Sequence, residues 1–206
     1  MAERRQGQPA PATDSTVNDK DWYGRDLSGQ TFTRVAFIDV ALTEATGTGA
    51  TFEECSFKGV ELNAAVFHDS AFVNCTFTRS SLFGTTFTGC KLIGTMFDNC
   101  RFGAFQVEGG NWSFVGLPGA DLRKASFTGV QMQEADLTGT RLGDASLRNV
   151  DLTGSWLHHA DLSGADLRGS ILTGLDPETT DLKGAIISLE QAVFFAEAMG
   201  LDIRPD

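Results

Sequence analysis

The chain has one Tyr among 206 residues, five Pro, four Cys and a deficit of basic residues. Each scarcity excludes something. Four Cys are too few for a disulfide-stapled scaffold of this length, and they form no CxxC pair or His-containing zinc spacing. With 16 Lys and Arg against 27 Asp and Glu, the net charge is −11, which excludes nucleic-acid binding through a basic surface. No apolar run approaches the roughly 18 residues of a membrane span. Arg4-Arg5 precedes no apolar stretch, so no secretory signal is readable, and a soluble cytoplasmic protein is the expectation. At 41% hydrophobic residues the chain is too apolar for wholesale disorder. What is abundant instead is Phe (16) and Gly (23).

A five-residue repeat accounts for both. Counting every fifth residue from Trp22 to Ile187 gives 34 positions, of which 16 are Leu and 11 Phe; only Gly47 and Pro177 are not large and apolar. From Val35 to Ala185, the position two before each centre is Ala, Val, Ser, Thr, Cys or Gly at 29 of 31 sites, the exceptions being Phe105 and Leu175. The position two after is Gly in 16 places. A period of five fits neither a helix nor a plain strand. It fits a chain that turns regularly, with a large and a small inward residue flanking one outward residue, then a bend. Gly suits the bend, and each unit buries its centre only by stacking on its neighbours, as in a solenoid.

The Ala-Asp-Leu units at Ala120, Ala135, Ala160 and Ala165 resemble the pentapeptide-repeat family. The resemblance spans about residues 20–187 and implies an all-β fold, a right-handed quadrilateral β-helix of about eight coils with four pentapeptides per coil. Residues 20 apart then stack, giving inner ladders such as Phe37, Phe57, Phe77, Phe97, Leu117, Leu137 and Leu157. The N-terminal half is Phe-filled and the C-terminal half Leu-filled, and the least regular stretch, residues 103–119, lies at the changeover. A bulge or bend is expected there, because Phe105 is too large for its slot.

Residues 1–19 carry no periodicity and read as a disordered tail, leaving residues 20–187 as the repeat domain and 188–206 as a C-terminal cap. In that cap, Ser188 and Gln191 form a capping-box signature before an apolar run that ends at Gly200. Leu189, Ala192, Val193, Phe195, Ala196 and Met199 share one helical face, with Phe194 beside it. The helix is expected to pair with a second copy, because two adjacent Phe exceed what one cap face hides; a plain cap over the last coil is the alternative.

Chemistry is sparse. The four Cys occupy small inward positions, and His68, His158 and His159 fall outward with no nucleophile at a readable spacing. A non-enzyme with no metal and no cofactor is the expectation. What remains is an acidic rod: residues 20–187 carry 20 acids and 13 bases, and residues 111–206 are net −7. An acidic rod with such a helix resembles the MfpA/Qnr fluoroquinolone-resistance group. The closest segments are residues 72–77, 120–123 and 190–198. That likeness implies DNA gyrase as protein partner, through mimicry of the DNA that gyrase captures, with no direct nucleic-acid or membrane binding. It places the contact surface on Asp121, Glu134, Asp136, Asp144, Asp151, Asp161, Asp166 and Asp181. Duplex DNA carries one charge per ~1.7 Å, whereas net −7 spread over a rod ~40 Å long is more than threefold sparser, so only a local stripe serves. The alternative is a scaffold solenoid for another protein partner.

Overall fold

In the computed structural model, residues 10–204 are described. Every strand pairs parallel with one 20 residues away, so the coil length is the one the ladders predict. The protein is an all-parallel β-solenoid with one C-terminal helix. One face stacks Ser15–Asn18, Val35–Ile38, Ser56–Lys58, Thr76–Thr78 and Met96–Asp98. A second stacks six strands from Thr46–Thr48 to Ser146–Arg148, and a third stacks Thr31–Thr33, Thr51–Glu53 and Ala71–Val73. The fourth is joined only by single parallel bridges, from Asp21 with Ala41 down to Asp161 with Asp181.

The repeat pattern dictates this. Large centres and small slot residues point inward and form one core running from Leu27 to Leu175. Successive Phe of one ladder lie nearly parallel: Phe37 and Phe57 at 4.9 Å, Phe57 and Phe77 at 4.3 Å, Phe77 and Phe97 at 4.9 Å between centroids. From Trp22 to Leu172, and again at Leu182, the residue two after each centre takes a positive φ, with Gly at many of these corners and Asp, Asn or other residues at the rest. Two kinds of corner alternate. In Leu units the next slot N–H turns back to the centre carbonyl, as Ala45 does to Leu42 at 3.1 Å. In strand-forming units, mostly those centred on Phe, that N–H is taken by the slot residue of the following coil, as Val60 donates to Ser80 Oγ at 3.1 Å and Cys75 to Thr95 Oγ1 at 3.3 Å. The cysteines share this work: Cys90 Sγ accepts from Ser70 N–H and faces the Phe67 carbonyl, each at 3.4 Å. Ser, Thr and Cys therefore satisfy backbone groups that Ala would leave bare.

The departures from the pattern compensate in pairs. Phe105 is fully buried in a small slot, and the following centre is only Val107. Leu175 is buried in the slot before Pro177, which is half-exposed. At Gly47 a side chain would begin 2.9 Å from the Phe67 ring, so Phe67 fills the room that a large centre would need.

The start of the domain needs correcting. Residues 15–18 form a strand pairing with Val35–Ile38, so the β-helix begins before residue 20. Val17 lies five residues before Trp22, in phase, and packs against the core; Arg34 bonds Asp14 at the same edge. The expected tail retains residues 10–14 as irregular chain, and residues 1–9 lie outside the described part.

Candidate functional site: an acidic face and an apolar end

The acids nominated from sequence divide into two groups. Most sit one before a centre, and there the carboxylate accepts the N–H two residues on. Asp121 accepts from Arg123, Asp136 from Thr138, Asp151 from Thr153, Asp161 from Ser163, Asp166 from Arg168 and Asp181 from Lys183. This is an Asx turn that shapes the corner, a structural reason for Asp in the repeat. Only Glu134 and Asp144 lie elsewhere, on the positive-φ corner itself.

Availability differs within the set. Asp136 is only 7% exposed, so it is a poor contact for any partner. Asp121 is gripped by Arg123 at 2.7 Å and by Arg141 of the next coil at 2.9 Å. Asp166 is gripped by Arg168 at 2.7 Å and faces Arg148 at 3.7 Å. The hydrogen bond from Arg168 leads in holding the Asp166 carboxyl down to about 2, and that from Arg123 leads in lowering Asp121. Asp161 is lowered chiefly by Ser163. These groups are ionised at neutral pH, but at Asp121 and Asp166 the neighbouring guanidinium groups cancel the local charge. The Asp-x-Arg spacing and the Arg one coil below were readable signals that sequence reasoning passed over.

The net negative charge therefore gathers in the last coils. Residues 142–187 hold seven carboxylates against Arg148, Arg168 and Lys183. On the fourth face, Asp161 bridges Asp181 one coil apart, with Asp144 at the neighbouring corner.

At the C-terminal end, Ser188 caps the helix Leu189–Ala198 with the reciprocal Gln191 bond of a capping box. Sequence periodicity missed the anchor. Gln191 is the buried helical residue, and its Nε2 donates to the Leu167 and Ser170 carbonyls at 2.7 and 2.8 Å, closing the last coil. Phe194 and Phe195 pack against the core and each other, with centroids 5.4 Å apart. Ala192 and Ala196 are half-buried. Leu189 (80% exposed), Val193 and Met199 (70%) face outward, with Leu201 and Ile203 beyond them. So the expected single apolar face is split: one side covers the coil and the other is bare. Between the helix and the last coil lies an open apolar groove of about 410 Å³, lined by Leu182, Ala185, Ile187, Phe195 and Met199 among others.

Of the other sequence candidates, the described residues include no cluster of His, Cys, Asp and Glu able to hold a metal, and no helix long and apolar enough to cross a membrane. His158 Nδ1 lies 3.2 Å from Thr179 Oγ1 at an exposed corner.

The family model for the pentapeptide repeat region matches residues 30–107, and that for pentapeptide repeats (8 copies) matches residues 117–144 and 160–188. The pentapeptide repeat protein MfpA of Mycolicibacterium smegmatis is 38% identical over 71 residues, which is 34% of this chain and 32% of that one. The match thus spans about a third of the length of that relative. A trypsin-treated QnrB1 variant, described as a plasmid-mediated fluoroquinolone resistance protein, superposes with TM-score 0.72 at 18% identity, over 94% of this chain and all of its own. Full-length QnrB1 gives 0.58 at 17%, over 90% of this chain and all of its own. At such identities these structures speak for the fold.

Proposed function

The chain belongs to the pentapeptide-repeat family, and from that premise we propose that it binds DNA gyrase as a protein ligand, modulating supercoiling and protecting the enzyme from fluoroquinolones or similar poisons. The observation that carries this reading is the excess of carboxylates over basic residues in the coils next to the C-terminal helix, on a chain similar to MfpA. Coils repeat at ~4.8 Å, so Asp161 and Asp181 fall within the span of a few phosphates of one groove edge. Binding is steric and electrostatic, with no bond made or broken. The contact surface is narrower than the nominated set: Asp144, Asp161 and Asp181 lead, with Glu134 and Asp151 beside them, while Asp121 and Asp166 contribute less.

Dimerisation through the helix belongs to the same reading. The bare Leu189, Val193 and Met199 side, continuous with the apolar groove, is the face a second copy covers. That places two acidic ends together at the middle of a longer rod. Phe195 is a poor test residue because it also packs on the core. Val193→Asp is the cleaner change, expected to give a monomer by light scattering with the solenoid intact; an unchanged dimer mass refutes this interface.

A gyrase supercoiling assay tests the function. Purified protein is expected to inhibit supercoiling or reduce drug-induced cleavage at micromolar concentration or below. Reversing Asp161 and Asp181 to Lys should weaken the effect more than reversing Glu53 and Glu54. No effect of the unaltered protein sinks the proposal, and equal losses place the contact elsewhere. The arginine clamps on Asp121 and Asp166 favour one second reading, a scaffold whose mixed-charge face engages a different protein. A binding partner other than gyrase, with no effect on supercoiling, decides for it.

A further inference from the structure

The fourth face is interrupted at one step. Along its whole length each centre N–H donates to the coil below: Leu82 to Arg101, Leu122 to Arg141, Leu142 to Asp161. The corner after it does the same, Gly84 to Gly103 and Lys124 to Gly143, and the coil below returns a bond, Arg101 to Ser80 and Arg141 to Ala120. Among the described residues, the equivalent bonds from Phe102 to Asp121, from Ala104 to Arg123 and from Asp121 to Cys100 are missing, and no bridge joins Arg101 to Asp121. The inward ladder opens at the same place. Cys100 and Ala120 are half-exposed, whereas Val40, Val60, Ser80, Thr140 and Ala160 of that ladder are 1% exposed or less.

Two irregularities of the sequence lie beside the gap. Phe105 occupies a small slot and packs edge to face against Phe102 at 5.2 Å and Trp112 at 6.0 Å, while Phe102 also meets Phe97 at 5.5 Å. With Val107 as the next centre, this layer is filled differently from those above and below it. Pro118 lies in the same coil on the neighbouring face, where it has no N–H to add to the single Met96–Gly116 bridge. Trp112 of the same coil buries its indole N–H without an acceptor, a further sign that this layer is imperfectly satisfied. The other three faces hold. Lys91, Asn111 and Gln131 remain bridged opposite the gap, Met96 stays bridged to Gly116, and Gln106–Glu108 pairs with Ser126–Thr128.

We propose that this seam is a hinge, at which the Phe-filled and Leu-filled halves of the rod swing about the unbroken ladder through Lys91, Asn111 and Gln131. The face that opens carries Arg101 above and Asp121 below. The hinge sets the angle between the N-terminal coils and the acidic C-terminal coils, whatever partner the rod engages. It does not depend on the gyrase reading, and its tests use no partner.

Residue-resolved hydrogen exchange of the full chain reads the seam directly. The Phe102, Ala104 and Asp121 amides should exchange at least about 100-fold faster than Leu82, Gly84, Arg101, Leu122, Lys124 and Arg141, because local openings expose unpaired amides first. Equal protection overturns the proposal. Motion is read by spin-label distances in a chain whose four Cys are changed to Ala. Labels at Glu61→Cys and Asp181→Cys span the seam; labels at Asp21→Cys and Arg101→Cys lie within one half. A distribution at least twofold broader across the seam is expected, and equal widths mean a static gap and no hinge.

Discussion

Truncating Phe57 to Ala tests the solenoid core most directly. Phe57 is 1% exposed in the middle of the Phe ladder. Its ring is stacked between Phe37 at 4.9 Å and Phe77 at 4.3 Å, and approached at an angle by Phe52 at 5.6 Å and Phe72 at 6.1 Å. Burial loss and cavity for a Phe to Ala change cost about 3–5 kcal/mol. The two stacked contacts add about 0.5–1.5 kcal/mol each to what area alone gives. The coils above and below are fixed by their own ladders, so collapse into the void is restricted. The expected loss is therefore at the top of the range, about 5 kcal/mol. Phe57→Leu keeps an apolar residue of the kind that occupies this ladder at Leu117 and Leu137, and should cost under about 2.5 kcal/mol. Urea unfolding followed by circular dichroism measures both. A double-mutant cycle with Phe77→Ala should show at least about 0.5 kcal/mol of coupling. A Phe57→Ala cost below about 2 kcal/mol, or strictly additive effects, would refute the view that the stacked rings act as one close-packed column.

Three further outcomes follow from other parts of the molecule. Gln191→Ala removes the donor to two carbonyls and half of the capping box, and should cost about 1–3 kcal/mol with the helix released first, seen as early proteolysis near Phe194. In an NMR titration, Asp166 should ionise near pH 2; its folded value lies below the unfolded one, so its stabilising contribution is complete above the ordinary carboxylate range and is lost as pH falls through about 2. Arg168→Met should raise that value more than Arg148→Met, since the Arg168 hydrogen bond is the leading cause. Burial pushes the Cys90 and Cys100 thiols up to about 11 and Cys75 well above its ordinary value, so native protein at pH 8 should titrate slowly with a disulfide reagent at these three positions and fully once unfolded.

The sequence by itself determined the register. One large apolar residue in five, in unbroken phase from Trp22 to Ile187 with lapses only at Gly47 and Pro177, dictates how those residues are buried, and the 20-residue ladders of Phe37, Phe57 and Phe77 follow from it. Val17 was in phase as well, but its flanks of Ser, Thr and Asp concealed the strand it belongs to, because one apolar residue makes no period. Tertiary structure decided which carboxylates are available. Asp121 and Asp161 share the Ala-Asp-Leu unit, and the Arg two residues after Asp121 is there in the text, but only the wound chain closes Arg123 and Arg141 together onto Asp121. It also decided the helix: Gln191 lies inward since the end of the last coil presents the Leu167 and Ser170 carbonyls to its amide, and no pattern within the helix records what lies beneath it. The seam is the mixed case. Phe105 and Pro118 are visible as misfits in the text, but where their cost falls depends on which coil edges they adjoin, and those edges exist only once the chain has wound.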